Sequence, residues 1–143
     1  MSAHELPVRI YYEDTDAAGI VYHANYLKFA ERGRTEFLRS IGFDHRVLAD
    51  THGLVFAVSR CVTDFVTPAR LDDLLVVRTR VTAVRGARLE LDQTVLRDGA
   101  PVARLAITLA ILGRTAMRPK RLPEPLRRAF ATAVDSVEKD KLN

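Results

Sequence analysis

The chain has 143 residues, 48% hydrophobic and 28% charged, which suits a single folded domain over 1–143 and excludes a disordered chain. Its net charge of +4 is modest and spread along the chain, with Arg114, Arg118, Lys120 and Arg121, followed by Arg127 and Arg128, as the densest basic cluster; such a diffuse positive surface suits a phosphate-bearing ligand, nucleic acid or no particular partner, the last being the default, and no nucleic-acid partner is expected. No apolar run is long enough to span a bilayer, the first seven residues show no signal peptide, and the lone cysteine, Cys61, permits no internal disulfide, so a cytoplasmic, reducing setting is expected.

The alternating run Val8–Tyr12 reads as a strand. A helix is predicted from about Ala24 to Ile41, because Tyr26, Ala30, Gly33, Phe37 and Ile41 recur at steps of three or four. Ala30 and Gly33 are small at the middle of that stripe, so the helix backbone can lie close to a sheet. Gly42 suits the helix end. A short second helix follows from Asp44, a candidate N-cap, to about Ala49. The period then changes to two. Leu54–Val66 is strand-like, with Cys61 expected as a buried, inert thiol. Three more runs alternate: Leu75, Val77, Thr79 and Val81; Leu89, Leu91 and Val95; and Leu105, Ile107, Leu109 and Ile111. Arg85-Gly86 and Asp98-Gly99 mark hairpin turns, and Pro68–Asp73 a longer connection. Pro119 and Pro123 end strand geometry. Glu124 to about Val137 reads as a terminal helix with a frayed tail from Glu138. One long helix is available to cover the apolar face of a long, twisted antiparallel sheet. The fold class is therefore α+β, with the sheet wrapped around the helix and a polar outer face free to meet another subunit.

The most informative stretch is Asp14-Thr-Asp-Ala-Ala-Gly-Ile-Val-Tyr-His-Ala24. It places Asp14, Asp16 and His23 around Gly19, between a strand and a helix N-terminus. A carboxylate, an imidazole and free backbone N–H groups can converge there. Taken singly, each residue has a plainer use. Asp in a glycine-containing loop is a turn former or N-cap, which fits Asp14 better than Asp16. His23 alone is a polar helix-start residue, Tyr12 a half-buried strand residue, and Asn25 and Tyr26 loop-securing or packing residues. His4, His45 and His52 have no ligand spacing, so no metal and no cofactor are expected.

The run Tyr12-Glu-Asp-Thr-Asp-Ala-Ala-Gly-Ile-Val-Tyr-His-Ala-Asn-Tyr26 resembles the active-site signature of hotdog-fold acyl-CoA thioesterases of the 4-hydroxybenzoyl-CoA thioesterase family. With Glu31-Arg-Gly-Arg-Thr-Glu36 and Pro68-Ala-Arg-Leu-Asp-Asp73 it is most similar to the branch associated with the bacterial Tol–Pal system. The resemblance covers roughly Pro7 to Pro123. It implies the hotdog fold, with Asp16 as the catalytic carboxylate and His23 as donor of a backbone N–H to the thioester carbonyl. It gives further functional positions at the imidazole of His23 and the phenol of Tyr12. It also aligns the turn flanked by Arg85 and Arg88 with a basic turn that contacts the nucleotide of coenzyme A; as residues alone, the two arginines are equally well read as solvated. Family members are dimers of hotdogs or larger assemblies, so a homodimer or dimer of dimers is expected, with an acyl-CoA substrate and an acyl carrier protein as an alternative carrier.

Such a site needs no Ser–His–Asp triad, because a CoA thiolate leaves easily. Asp16 either attacks the carbonyl to give an anhydride or activates water, and the sequence leaves both open. Two other functions compete. Hotdog hydratases and dehydratases bind related thioesters but carry differently worded motifs from Asp-Thr-Asp-Ala-Ala-Gly. A non-enzymatic acyl-CoA or acyl-carrier-protein binder linked to an envelope machine would keep the fold and release no thiol.

Overall fold

The period-two runs become five antiparallel strands of one sheet in the computed structural model, which describes residues 3–142, the last eight by backbone alone. In chain order these are β1 (His4–Arg9), α1 (Asn25–Ser40), α2 (His45–His52), β2 (Leu54–Phe65), β3 (Leu74–Arg85), β4 (Arg88–Arg97), β5 (Ala100–Gly113) and α3 (Glu124–Leu142). The strands lie in the order β1-β3-β4-β5-β2. The β4–β5 hairpin turns at Asp98 and Gly99, with φ of 51° and 80°, the positive pair that matches the right-handed strand twist. Asp44 caps α2 by accepting the Val47 N–H at 2.8 Å.

Three elements depart from the sequence pattern. The first strand ends at Arg9, and the chain turns through a single 3-10 turn at Tyr12–Asp14. The last helix continues to Leu142 rather than ending near Val137. Cys61 is exposed, because β2 is an edge strand and α1 packs on β1, β3 and β4 rather than over β2.

The core lies between α1 and one face of the sheet. Phe29, Ala30, Phe37 and Leu38 of α1 share one buried cluster with Leu75, Val77 and Val81 of β3, Leu89, Leu91 and Val95 of β4, and Leu105, Ile107 and Ile111 of β5. Gly33 sits where α1 presses closest. A Cβ there would lie 2.7 Å from Val77 Cγ1, 3.0 Å from Thr79 Oγ1 and 3.1 Å from Gln93 Nε2. Beyond α1, Phe130 of α3 packs on Phe37 and Phe56.

Candidate active site

The loop between β1 and α1 is a small pinned structure. Thr15 and Val21 form an antiparallel bridge, the Asp16 N–H donates to the Ile20 carbonyl at 2.9 Å, and Gly19, at φ 81°, donates to the Asp16 carbonyl at 3.0 Å. The Asp16 carboxylate is exposed. One oxygen accepts the Ala18 N–H at 2.8 Å, and the other has no hydrogen-bond partner among the described residues. His23 is exposed too, against Tyr22 at 4.7 Å between ring centroids and edge-on to Phe65 at 6.1 Å. The first backbone donors of α1, Asn25 and Tyr26, turn back onto the Tyr22 and His23 carbonyls. The N–H groups of His23 and Ala24, just ahead of them, are unpaired among the described residues. They lie at the positive end of the helix dipole, where developing negative charge is stabilised.

Asp14 has a different task. It is 7% exposed; its carboxylate accepts the Tyr11 N–H at 2.8 Å and the Asn25 amide at 2.9 Å. Its backbone carbonyl takes the Tyr22 N–H at 2.9 Å. The two aspartates thus divide as structural tie and free carboxylate, the split that the turn-former reading of Asp14 anticipates. Asn25 and Tyr26 secure the loop, also as expected. The Tyr26 hydroxyl accepts the Ala69 N–H at 3.3 Å, and burial pushes its pKa up. Tyr12, however, is 82% exposed in the 3-10 turn and makes no hydrogen bond to Asp16. A phenol clamping the carboxylate within one chain is therefore absent, because the chain leaves strand geometry before Tyr12.

The Pro68–Asp73 connection supports the loop from below. Ile20 bridges Arg70, and the Val21 N–H donates to the Ala69 carbonyl at 2.8 Å. Arg97 ties this connection to β4 through the Pro68 carbonyl at 3.0 Å and the Asp73 carboxylate at 2.8 Å. The Arg70 N–H and then Arg97 hold the Asp73 carboxyl below its usual pKa.

Arg85 and Arg88 are not brought to the Asp16 loop of their own chain. The loop adjoins the Leu74 end of β3, whereas Arg85 closes the other end, eleven residues on; at about 3.3 Å per residue this is roughly 35 Å. Both arginines lie 3.6 Å from Glu90, which they share. Much of the basic cluster serves its own chain: Arg114 pairs with Asp50, Lys120 donates to the His52 carbonyl, and Arg127 and Arg128 meet Glu124. Among the described residues no group of three or more His, Cys, Asp or Glu side chains could hold a metal ion, and no helix is long and apolar enough to cross a membrane.

A polar group in the core escaped the sequence reading. Gln93, 1% exposed, donates to the Ala30 carbonyl at 2.8 Å and the Thr79 hydroxyl at 2.9 Å, and accepts from Arg34 at 3.0 Å. Burial lowers the Arg34 pKa, and the nearby Glu31 carboxylate works against that lowering without forming an ion pair. The available signal was Gln93 in the apolar register of β4, between Leu91 and Val95.

Comparison with known proteins agrees with this architecture. The thioesterase-like superfamily model matches residues 11–130. The chain is 41% identical to acyl-CoA thioesterase YbgC of Haemophilus influenzae over 124 residues, covering 87% of this chain and 91% of the relative. The crystal structure of a probable thioesterase from Bartonella henselae superposes with a TM-score of 0.81 at 39% identity, over 85% of this chain and 99% of that one. A thioesterase from Thermus thermophilus, solved with coenzyme A and zinc, gives a TM-score of 0.79 at 26% identity, over 92% and 94% of the two chains. The chain belongs to the thioesterase-like superfamily. The five-stranded sheet with its long helix is the hotdog fold expected from the loop motif, and the YbgC relative falls in the branch that the motif resembles.

Proposed function

We propose that this protein hydrolyses acyl-CoA thioesters, with Asp16 as nucleophile or general base and the His23 backbone N–H polarising the thioester carbonyl. The protein is an acyl-CoA thioesterase, a reading supported by the YbgC relative over nearly its whole length. The observation that carries the mechanism is the exposed Asp16 carboxylate, with one oxygen unbound, on a loop that leads into unpaired N–H groups at the start of α1. In the water route, a water oxygen bonds to the carbonyl carbon as Asp16 takes its proton. In the anhydride route, the Asp16 oxygen attacks first and water then cleaves the anhydride. In either route the carbon–sulfur bond breaks, the thiolate of coenzyme A departs, and the charge that develops on the carbonyl oxygen faces the His23 N–H. The exposed His23 imidazole orients water. The Tyr12 phenol acts where substrate or a second subunit closes over it.

The working form is a homodimer. β2 is a twelve-residue edge strand with Val58, Val62 and Phe65 exposed, and such an edge calls for a partner. In the dimer, Arg85 and Arg88 of one subunit serve the nucleotide bound at the other's loop. Thiol release from an acyl-CoA panel by wild type and Asp16→Asn tests the chemistry. The amide oxygen of that variant can still accept the Ala18 N–H, so the loop keeps its shape while turnover falls by about a hundredfold or more. An Asp16→Asn enzyme with wild-type turnover would refute the assignment.

A further inference from the structure

Between α1 and the sheet lies a cavity of about 310 Å³. Phe37, Phe56, Val58, Leu91 and Phe130 give it an apolar wall, and Glu31, Arg34 and the Thr35–His45 pair give it a polar one. The Arg34 guanidinium is fixed rather than free. Gln93 holds it at 3.0 Å, and Gln93 is itself locked by Ala30 and Thr79. One acceptor, however, leaves most of the five donors of an arginine unused, and Glu31, on the same cavity wall, acts on the guanidinium electrostatically without forming an ion pair with it. A half-buried cation so placed, beside an apolar wall, is built to meet an oxygen acceptor brought in from outside.

The cavity is also within reach of the catalytic loop. Its lining on α1 begins at Glu31 and reaches Arg34, eight and eleven residues past His23, steps of about 12 and 16 Å along the helix axis. Phe65 touches the His23 ring at one end of β2, and Val58 and Phe56 line the cavity at the other.

We infer that this cavity takes the distal part of the acyl group, and that Arg34 selects acyl groups ending in an oxygen acceptor: a hydroxyl, a keto group or a carboxylate. The inference rests on the thioesterase reading above. It makes Arg34 a specificity residue that touches substrate remote from the reacting carbon, so its effect depends on the tip of the acyl group.

The test compares kcat/KM for medium-length acyl-CoA substrates matched in length, one ending in methyl and the others in hydroxyl, keto or carboxylate. Wild type favours at least one oxygenated tip. Arg34→Met keeps the aliphatic stem and removes the donors, so that preference falls by about ten- to hundredfold, the range for a hydrogen bond to a charged group. Arg34→Lys retains a cation able to hold Gln93, guards against a folding defect, and loses part of the preference because it lacks the planar fork. The arm with the largest loss identifies the tip. Thiol release from all substrates, with the same ratio in wild type and both variants, overturns the role of Arg34 while leaving the thioesterase reading standing. Wild type that releases no thiol from any acyl-CoA overturns both.

Discussion

Gly33→Ala puts the packing of α1 to a direct test, because helix propensity and tertiary contact oppose each other there. At an exposed helix position the change would stabilise by about 1 kcal/mol. Here the new Cβ would stand 2.7 Å from Val77 Cγ1 and little farther from Thr79 Oγ1 and Gln93 Nε2. Val77 and Thr79 are fully buried on β3, and Gln93 holds two buried hydrogen bonds, so none of the three can swing aside freely. Overpacking of this kind costs about 1–3 kcal/mol. A displaced Gln93 forfeits roughly 1 kcal/mol for each hydrogen bond weakened. Subtracting the propensity gain leaves a net loss of about 1–3 kcal/mol. Urea unfolding followed by circular dichroism should show a lower midpoint with an unchanged slope. The melting temperature should fall by about 3 °C per kcal/mol. A Gly33→Ala protein more stable than wild type would refute the close approach of α1 to β3 and β4.

Asp14→Asn should lower stability by about 1–3 kcal/mol, because an amide must set a donor against the Tyr11 N–H or the Asn25 amide; equal urea midpoints for wild type and variant would contradict the buried tie. The Asp73 pKa is depressed in the folded state, chiefly by the Arg70 N–H and then by Arg97. Its contribution is therefore full above the unfolded value of about 3.9 and is lost as pH falls through the lower folded value. Asp73→Asn should flatten the acid side of the stability profile below about pH 4, and a profile as steep as wild type would count against the Arg70–Asp73–Arg97 ties. Replacing Arg85 and Arg88 together by Ala should raise KM for acyl-CoA more than it lowers kcat, and should leave a short pantetheine thioester unaffected. Mixing that variant with Asp16→Asn subunits should restore the low KM by pairing an intact loop on one chain with an intact arginine pair on the other. Mixing without recovery, or light scattering from an active monomer, would refute the shared site.

The sequence by itself determined a good deal. Period-two runs and paired turns set the antiparallel strands, the spacing of Phe37, Ala30 and Gly33 set the covering face of α1, and the Asp14–Ala24 loop marked the candidate site, because each of these depends on residues close together in the chain. The separation of Asp14 from Asp16 was partly legible for the same reason, being settled by bonds to Tyr11, Asn25 and Ala18 nearby. The fold decided what depends on residues far apart. Tyr12 lies outside the first strand because the Ile10 backbone bonds to Asp72 and Asp73 and the chain turns there. Cys61 is exposed because β2 ends the sheet and α1 leans toward β1, β3 and β4. Arg85 and Arg88 stand far from the loop because β3 carries them the length of the sheet. The Arg34–Gln93–Thr79 network joins three elements whose polar residues look incidental in each strand or helix alone, and only their packing around Gly33 makes them one group.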